Sequence, residues 1–191
     1  DYGRAFFDAR HNFVWSGSYE LPIGKGHAFG ADWPGVAQAV FGGWNLSNII
    51  SAHTGFPMTI IANDNSEQGL SRSVGGRGRP NLVGNPMASA PTIDGWLNPA
   101  AFAPTARGTI GNSGVSIAEA PGYINWDLGA GKKFYLTERK YFDFRAEFFN
   151  FTNTPSFSPP AVNFSDLNTF GKITSTVSPP RNLEFALKFY F

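Results

Sequence analysis

The sequence predicts an all-β protein built from long antiparallel strands, and three observations predict it. Apolar residues recur at every second position through five separate segments, which is the side-chain period of a strand. Those segments run about 10 to 20 residues, longer than the five or six usual in globular sheets. Helix-compatible sequence is scarce: 22 Gly and 14 Pro punctuate the chain, and only WPGVAQAVFGG suits a short helix.

The segments follow in order. Residues 9–21 (ARHNFVWSGSYEL) place Phe13, Trp15, Gly17, Tyr19 and Leu21 on one face and Arg10, Asn12, Ser16, Ser18 and Glu20 on the other. Residues 42–62 carry Trp44, Leu46, Asn48, Ile50, Ala52, Thr54, Phe56, Met58 and Ile60 in one phase. That parity continues past Gly55, which predicts one long strand. Residues 123–135 set Ile124, Trp126, Leu128, Ala130 and Phe134 against Asn125, Asp127, Gly129, Gly131 and Lys133. Lys132 interrupts the apolar face near its end, where its stem is expected to carry the ammonium to water. Residues 141–152 oppose Phe142, Phe144, Ala146 and Phe148 to Asp143, Arg145 and Glu147. Residues 181–191 oppose Leu183, Phe185, Leu187, Phe189 and Phe191 to Asn182, Glu184, Ala186, Lys188 and Tyr190.

Composition narrows the function classes. Charged residues are 15%, below the roughly 25% of soluble domains, while aromatics reach 16%. Mean hydropathy is nevertheless −0.19, so apolar and polar residues are interleaved at short range. A formal charge of +1 provides no footprint for nucleic acid. The absence of cysteine excludes a disulfide scaffold and thiolate metal sites. No apolar run is long enough for a transmembrane helix. No signal peptide opens the sequence, which is expected of a mature form or a fragment.

The connections differ in kind. Thr137 to Lys140 (TERK) is tight and charged, and residues 22–41 make a medium link. Residues 63–122 form a long stretch with 10 Gly and 6 Pro, and residues 153–180 form another. Irregular loops of that size are foreign to compact soluble domains. Outer-membrane barrels, by contrast, combine short periplasmic turns with long extracellular loops. On that reading Leu183, Phe185, Leu187, Phe189 and Phe191 meet lipid, and Asp127, Asp143, Arg145, Glu147, Glu184 and Lys188 face the lumen. Trp44, Tyr141, Phe189 and Phe191 suit interfacial girdles.

A last strand of alternating apolar residues ending in Phe resembles the assembly signal of bacterial outer-membrane barrels. The chain further resembles the C-terminal end of Oar-like TonB-dependent receptors. The matching stretches are DARHNFVWSGSYELPIGKG, GGWNLSNIISAHTGFPMTI, RGRPNLVGNP, GWLNPAAFAP, GTIGNSG, APGYINWDLGAGKKFYLTERKYFDFRAEFFNFTNTPSFSPP and FGKITSTVSPPRNLEFALKFYF. They cover most of residues 1–191 in the family's order; each alone is degenerate, and their order and spacing carry the weight. The resemblance implies a barrel of about 22 strands, with upstream strands and a plug on the same polypeptide and TonB as a partner. Strand counting leads the same way. With Phe191 at the periplasmic side, five strands leave an odd number, whereas bacterial barrels are even. Residues 1–191 are thus expected to be a barrel segment that does not close alone.

No catalytic constellation emerges, and neither an enzyme nor a cofactor is expected. His11, His27 and His53 lack ligand spacing. Asn63 to Gly69 (NDNSEQG) lacks the Gly at position 6 and the Glu at position 12 of a calcium loop. GNSG at Gly111 to Gly114 is not a nucleophile elbow, and GGRGRP, with Arg77 and Arg79, lacks the end of a phosphate loop. The charged row is expected to pair across strands as wall structure or to contact a plug or solute. Trp96, Phe102 and Phe157 are expected to pack within loops or to touch ligand. Three functions compete: a solute importer of the outer membrane, a self-assembling surface protein joined through open strand edges, and a soluble glycan-binding β-sandwich. Far-UV circular dichroism should show less than about one fifth helix, since few residues here can be helical; a larger helical fraction would contradict the strand reading.

Overall fold

The computed structural model describes residues 2–63 and 78–191. In chain order the strands are β1 (Asn12–Glu20), β2 (Trp44–His53), β3 (Pro57–Met58), β4 (Asn81–Leu82), β5 (Met87–Thr92), β6 (Gly95–Leu97), β7 (Phe102–Ala103), β8 (Ala118–Glu119), β9 (Tyr123–Tyr135), β10 (Tyr141–Phe149) and β11 (Asn182–Tyr190). A short helix, α1 (Gly35–Phe41), precedes β2, and Pro99–Ala101 forms a 3-10 turn. The all-β expectation holds. The chain divides into two compact units: Phe13–Ala52, Ile124–Pro155 and Ser178–Phe191 form one, and Asp1–Asn12, His53–Tyr123 and Ser156–Val177 the other.

The first unit is a five-stranded sheet in the order β1-β2-β9-β10-β11. β10 runs antiparallel to both β9 and β11. Its hairpin with β9 is closed by the charged turn: Leu136 N–H donates to Lys140 O at 2.9 Å, and the Thr137 hydroxyl accepts from Lys140 N–H at 3.1 Å. β10 ends before its expected limit, at Phe149. Asn150 adopts a left-handed φ of 50°, which a short polar side chain tolerates. Its buried amide donates to Thr154 O and Pro179 O and accepts from Thr154 N–H. Asn153 Oδ1 accepts from Arg181 N–H, so the last strand starts at a defined point.

The second unit corrects two expectations. The long strand expected over residues 42–62 stops at His53. A Cβ at Gly55 would sit 1.7 Å from Ala120 O, so only glycine permits that backbone approach. Pro57 lacks the N–H that a continuing ladder needs. Met58 and Ile60, in phase with the strand, are instead buried in a core with Leu97, Phe102, Ala118 and Phe170. The stretches expected to be irregular loops, residues 63–122 and 153–180, also contribute to that core. Rings of Phe102, Phe164 and Phe170 meet at 5.6–5.7 Å, and Trp96 and Ile117 pack on the cluster. The short pairs β3–β8, β4–β7 and β5–β6 supply its ladders. Most of these strands are two or three residues long, and the six-residue β5 shifts register against β6, so no period is left to read.

Leu97→Ala should remove about 2–5 kcal/mol from this packing, as buried leucine truncations do. Amide exchange should then accelerate at Trp96 and Ile173, whose N–H groups donate to Gly171 O and Ile93 O within the same unit. Unchanged exchange at both would show that the cluster does not hold the unit together.

Candidate functional site

The registers around β10 sort the sheet into two faces. Phe142, Phe144, Ala146 and Phe148 face Phe189, Leu187, Phe185 and Leu183 across β11, and Phe134, Lys132, Ala130 and Leu128 across β9. The intervening positions put Asp143 between Lys133 and Lys188, Arg145 between Gly131 and Ala186, and Glu147 between Gly129 and Glu184. Because strand side chains alternate, each row lies on one face.

The polar face forms a cavity of about 680 Å³, with Glu20, Lys25, Lys133, Asp143, Arg145 and Glu147 among its lining residues. Three of the expected lumen charges thus converge. Its floor is glycine: a Cβ at Gly129 would lie 2.3 Å from Ser47 Oγ, so the serine occupies the space a side chain would take. Ser18 Oγ donates to Asn45 Oδ1 at 3.1 Å. The expected cross-strand ion pairs do not close among the described residues. Arg145 Nε instead lies 3.6 Å from Asp143 Oδ1 of its own strand, because both point to one face two residues apart. Lys133 Nζ sits 5.3 Å from the Tyr141 ring centroid. Asp127 serves the backbone, its Oδ1 accepting from Asn150 N–H at 2.9 Å. Glu184 opposes Glu147, a like-charge pair, and accepts from Asn182 Nδ2. The chemistry on offer is therefore amphoteric: fixed cations and carboxylates around a polar, wettable space.

The opposite face is apolar and uncovered. Phe185 and Leu187 are 65% and 63% exposed, whereas Ile60 in the second unit is 0% exposed. Phe142 and Phe189 rings meet at 4.8 Å, and Trp44 stands edge-on to Phe144 at 6.1 Å. Lys132 does not carry its ammonium to water as expected. It is buried, its Nζ donating to Gln38 O at 3.2 Å beneath the Trp44 and Phe134 rings. The carbonyl of α1 is nearer than solvent, which is why snorkelling fails here.

Other expected positions take structural places. His53 stacks on Tyr123 at 5.3 Å, and its Nδ1 lies 2.9 Å from Thr54 O. His27 Nε2 is 3.9 Å from Glu20 Oε1. His11 meets Thr54 through its backbone. Trp96 Nε1 donates to Glu119 O, Phe102 is in the core, and Phe157 bridges to Thr176. Most of NDNSEQG and Arg77 lie outside the described residues. Sequence reasoning missed a row of three tyrosines on the polar side, Tyr135, Tyr141 and Tyr190, with centroids 5.3 and 4.7 Å apart. Tyr135 and Tyr141 close the β9–β10 hairpin, so the turn itself was a signal for pairing them.

Among the charges, Asp143→Asn should destabilise the sheet and Glu184→Gln should stabilise it. Asp143 lies between two lysines, whereas Glu184 stands opposite Glu147, and directly opposed like charges disfavour a sheet. Urea titration of the protein folded in vesicles measures both, with changes of a few tenths of a kcal/mol to about 1 kcal/mol. Equal signs would contradict the registers as electrostatic determinants.

Neither the curated proteins nor the solved structures provide a match to this chain. A family model described as "Outer membrane beta barrel domain" matches residues 1–184. That corrects the soluble-sandwich alternative, which would also have buried the Phe185 and Leu187 row between two sheets. With an antiparallel sheet, a charged concave face and an uncovered aromatic face, the chain belongs to the outer membrane β-barrel domain family and is a protein of the bacterial outer membrane.

Proposed function

We propose that the five long strands are the C-terminal sector of a TonB-dependent, Oar-like barrel that imports a scarce solute. The observation that carries the reading is the separation of the two sheet faces. An uncovered row of Leu183, Phe185, Leu187, Phe189 and Phe191 is what acyl chains solvate. A charged cavity with a glycine floor is what a water-filled lumen wall requires. The ordered motifs resembling the receptor family support the energy-coupled import, with TonB and an upstream plug as partners. No enzymatic step is assigned to these strands. Self-association competes because β11 is an edge of the five-strand sheet, with all nine residues exposed.

In the full polypeptide, Leu187→Arg should cost about 2–4 kcal/mol of folding into lipid vesicles, and Ala186→Arg should cost less. Phe189→Arg, nearer the interface, should fall below Leu187→Arg. Equal costs at 186 and 187 would exclude the lipid face. Import itself is tested by solute accumulation in intact cells, which should cease when the proton-motive force is collapsed. Accumulation that continues would remove the energy coupling.

A further inference from the structure

The link between β1 and β2 is built inside out. α1 is the uncharged heptapeptide GVAQAVF, and none of its residues is buried. Val36 is 79% exposed, Val40 51% and Phe41 58%. Trp33 and Phe29 beside the helix are exposed too, and Trp33 meets Phe41 edge-on at 6.0 Å. The helix's one polar side chain, Gln38, turns inward. Its Oε1 accepts from Lys25 N–H at 2.8 Å, and its Nε2 donates to Gly30 O at 2.6 Å and to Ala31 O at 3.2 Å. A helix in water arranges these residues the other way round.

Two contacts tie α1 to the apolar side of the sheet. Trp44 Nε1 donates to Val40 O at 2.9 Å, and Lys132 Nζ donates to Gln38 O. Lys132 is in register with Phe144, which pairs with Leu187, and Trp44 packs on Phe144. The exposed residues of α1 are therefore continuous with the face assigned to lipid. They lie at the end of the sheet carrying the tight Thr137–Lys140 turn, the end that faces the periplasm in outer-membrane barrels. Gln38 O and Val40 O, which leave the helix at this end, accept from the protein's own donors, which lowers the cost of losing water around the segment.

We infer that α1 and its flanking aromatics lie in the headgroup–acyl boundary of the periplasmic leaflet, a phospholipid contact that extends the barrel's membrane surface beyond its strands. The inference rests on the lipid-face reading, and its test separates the two. Cysteines are introduced singly at Val36, Val40, Leu187 and Glu184 of the full polypeptide, labelled with an environment-sensitive fluorophore, and placed in phosphatidylcholine vesicles. Nitroxides are carried either shallow or deep on the acyl chains. Positions 36 and 40 should be quenched by lipid, several-fold more by the shallow nitroxide than by the deep one. Position 187 should prefer the deep nitroxide, and position 184 should respond to aqueous iodide. Lipid quenching at 187 with iodide quenching at 36 and 40 would overturn the inference and leave the lipid face standing. Shielding of 36 and 40 from lipid and iodide alike would overturn it in favour of a protein partner. Absence of lipid quenching at 187 would remove the lipid-face reading and this inference with it.

Discussion

The register of β10 against its two neighbours is the constraint on which the sheet depends. Side chains alternate with a period of two, so a slip of one residue would send Phe142, Phe144 and Phe148 to the charged side. The pairing Phe142–Phe189 and the pairing Asp143–Lys188 are one geometric fact seen from opposite faces. The aromatic contacts, the gathering of Asp143, Arg145 and Glu147, and the glycine floor all follow from it. The closed turn at Thr137–Lys140 sets the β9 side of that register, and the Asn150 node sets where β11 begins.

The two units handle apolar residues in opposite ways. In one, Ile60, Leu97 and Phe102 are removed from water by other side chains, as in any protein core. In the other, apolar rows of comparable size are left uncovered while the polar residues look into a cavity. An uncovered aromatic row is unfavourable in water and unremarkable in hydrocarbon. On the lipid-face reading proposed above, the bilayer takes the place of a second packing layer, and the sheet needs no core of its own. The same logic explains Lys132: in an apolar setting an ammonium is stable only with a carbonyl and ring faces around it, and Gln38, Trp44 and Phe134 provide them.

Legibility followed the period. Five segments with alternation became the five strands of the sheet, and the registers keep Phe142 to Phe148 in one phase and Asp143 to Glu147 in the other. Legibility failed where alternation persisted without a ladder. Phe56, Met58 and Ile60 kept the phase of β2, but the demand at Gly55 for close approach to Ala120 was a tertiary fact with no local trace. The second unit was illegible for a related reason: its core joins residues from two stretches far apart in sequence, through strands of two or three residues and one, β5, whose register is irregular. The convergence of Lys25 and Glu20 with the β10 charges needed the path of the β1–β2 link, which no spacing encodes. The inward turn of Gln38 was equally hidden, since a single glutamine in an apolar heptapeptide reads as a surface residue.

The Asn150 node has a consequence for how such a chain changes over evolutionary time. One amide binds Thr154 O and Pro179 O, and Asn153 receives Arg181 N–H, so both feet of the intervening excursion are fastened together where β10 ends and β11 begins. The residues between, Ser156–Val177, belong to the other unit. Insertions, deletions and replacements there leave the strand register undisturbed, because the clasp and not the loop's length sets the start of the last strand. The fold thereby separates two inheritances: Phe164 and Phe170 answer to the core of their own unit, while the clasp alone answers to the strands.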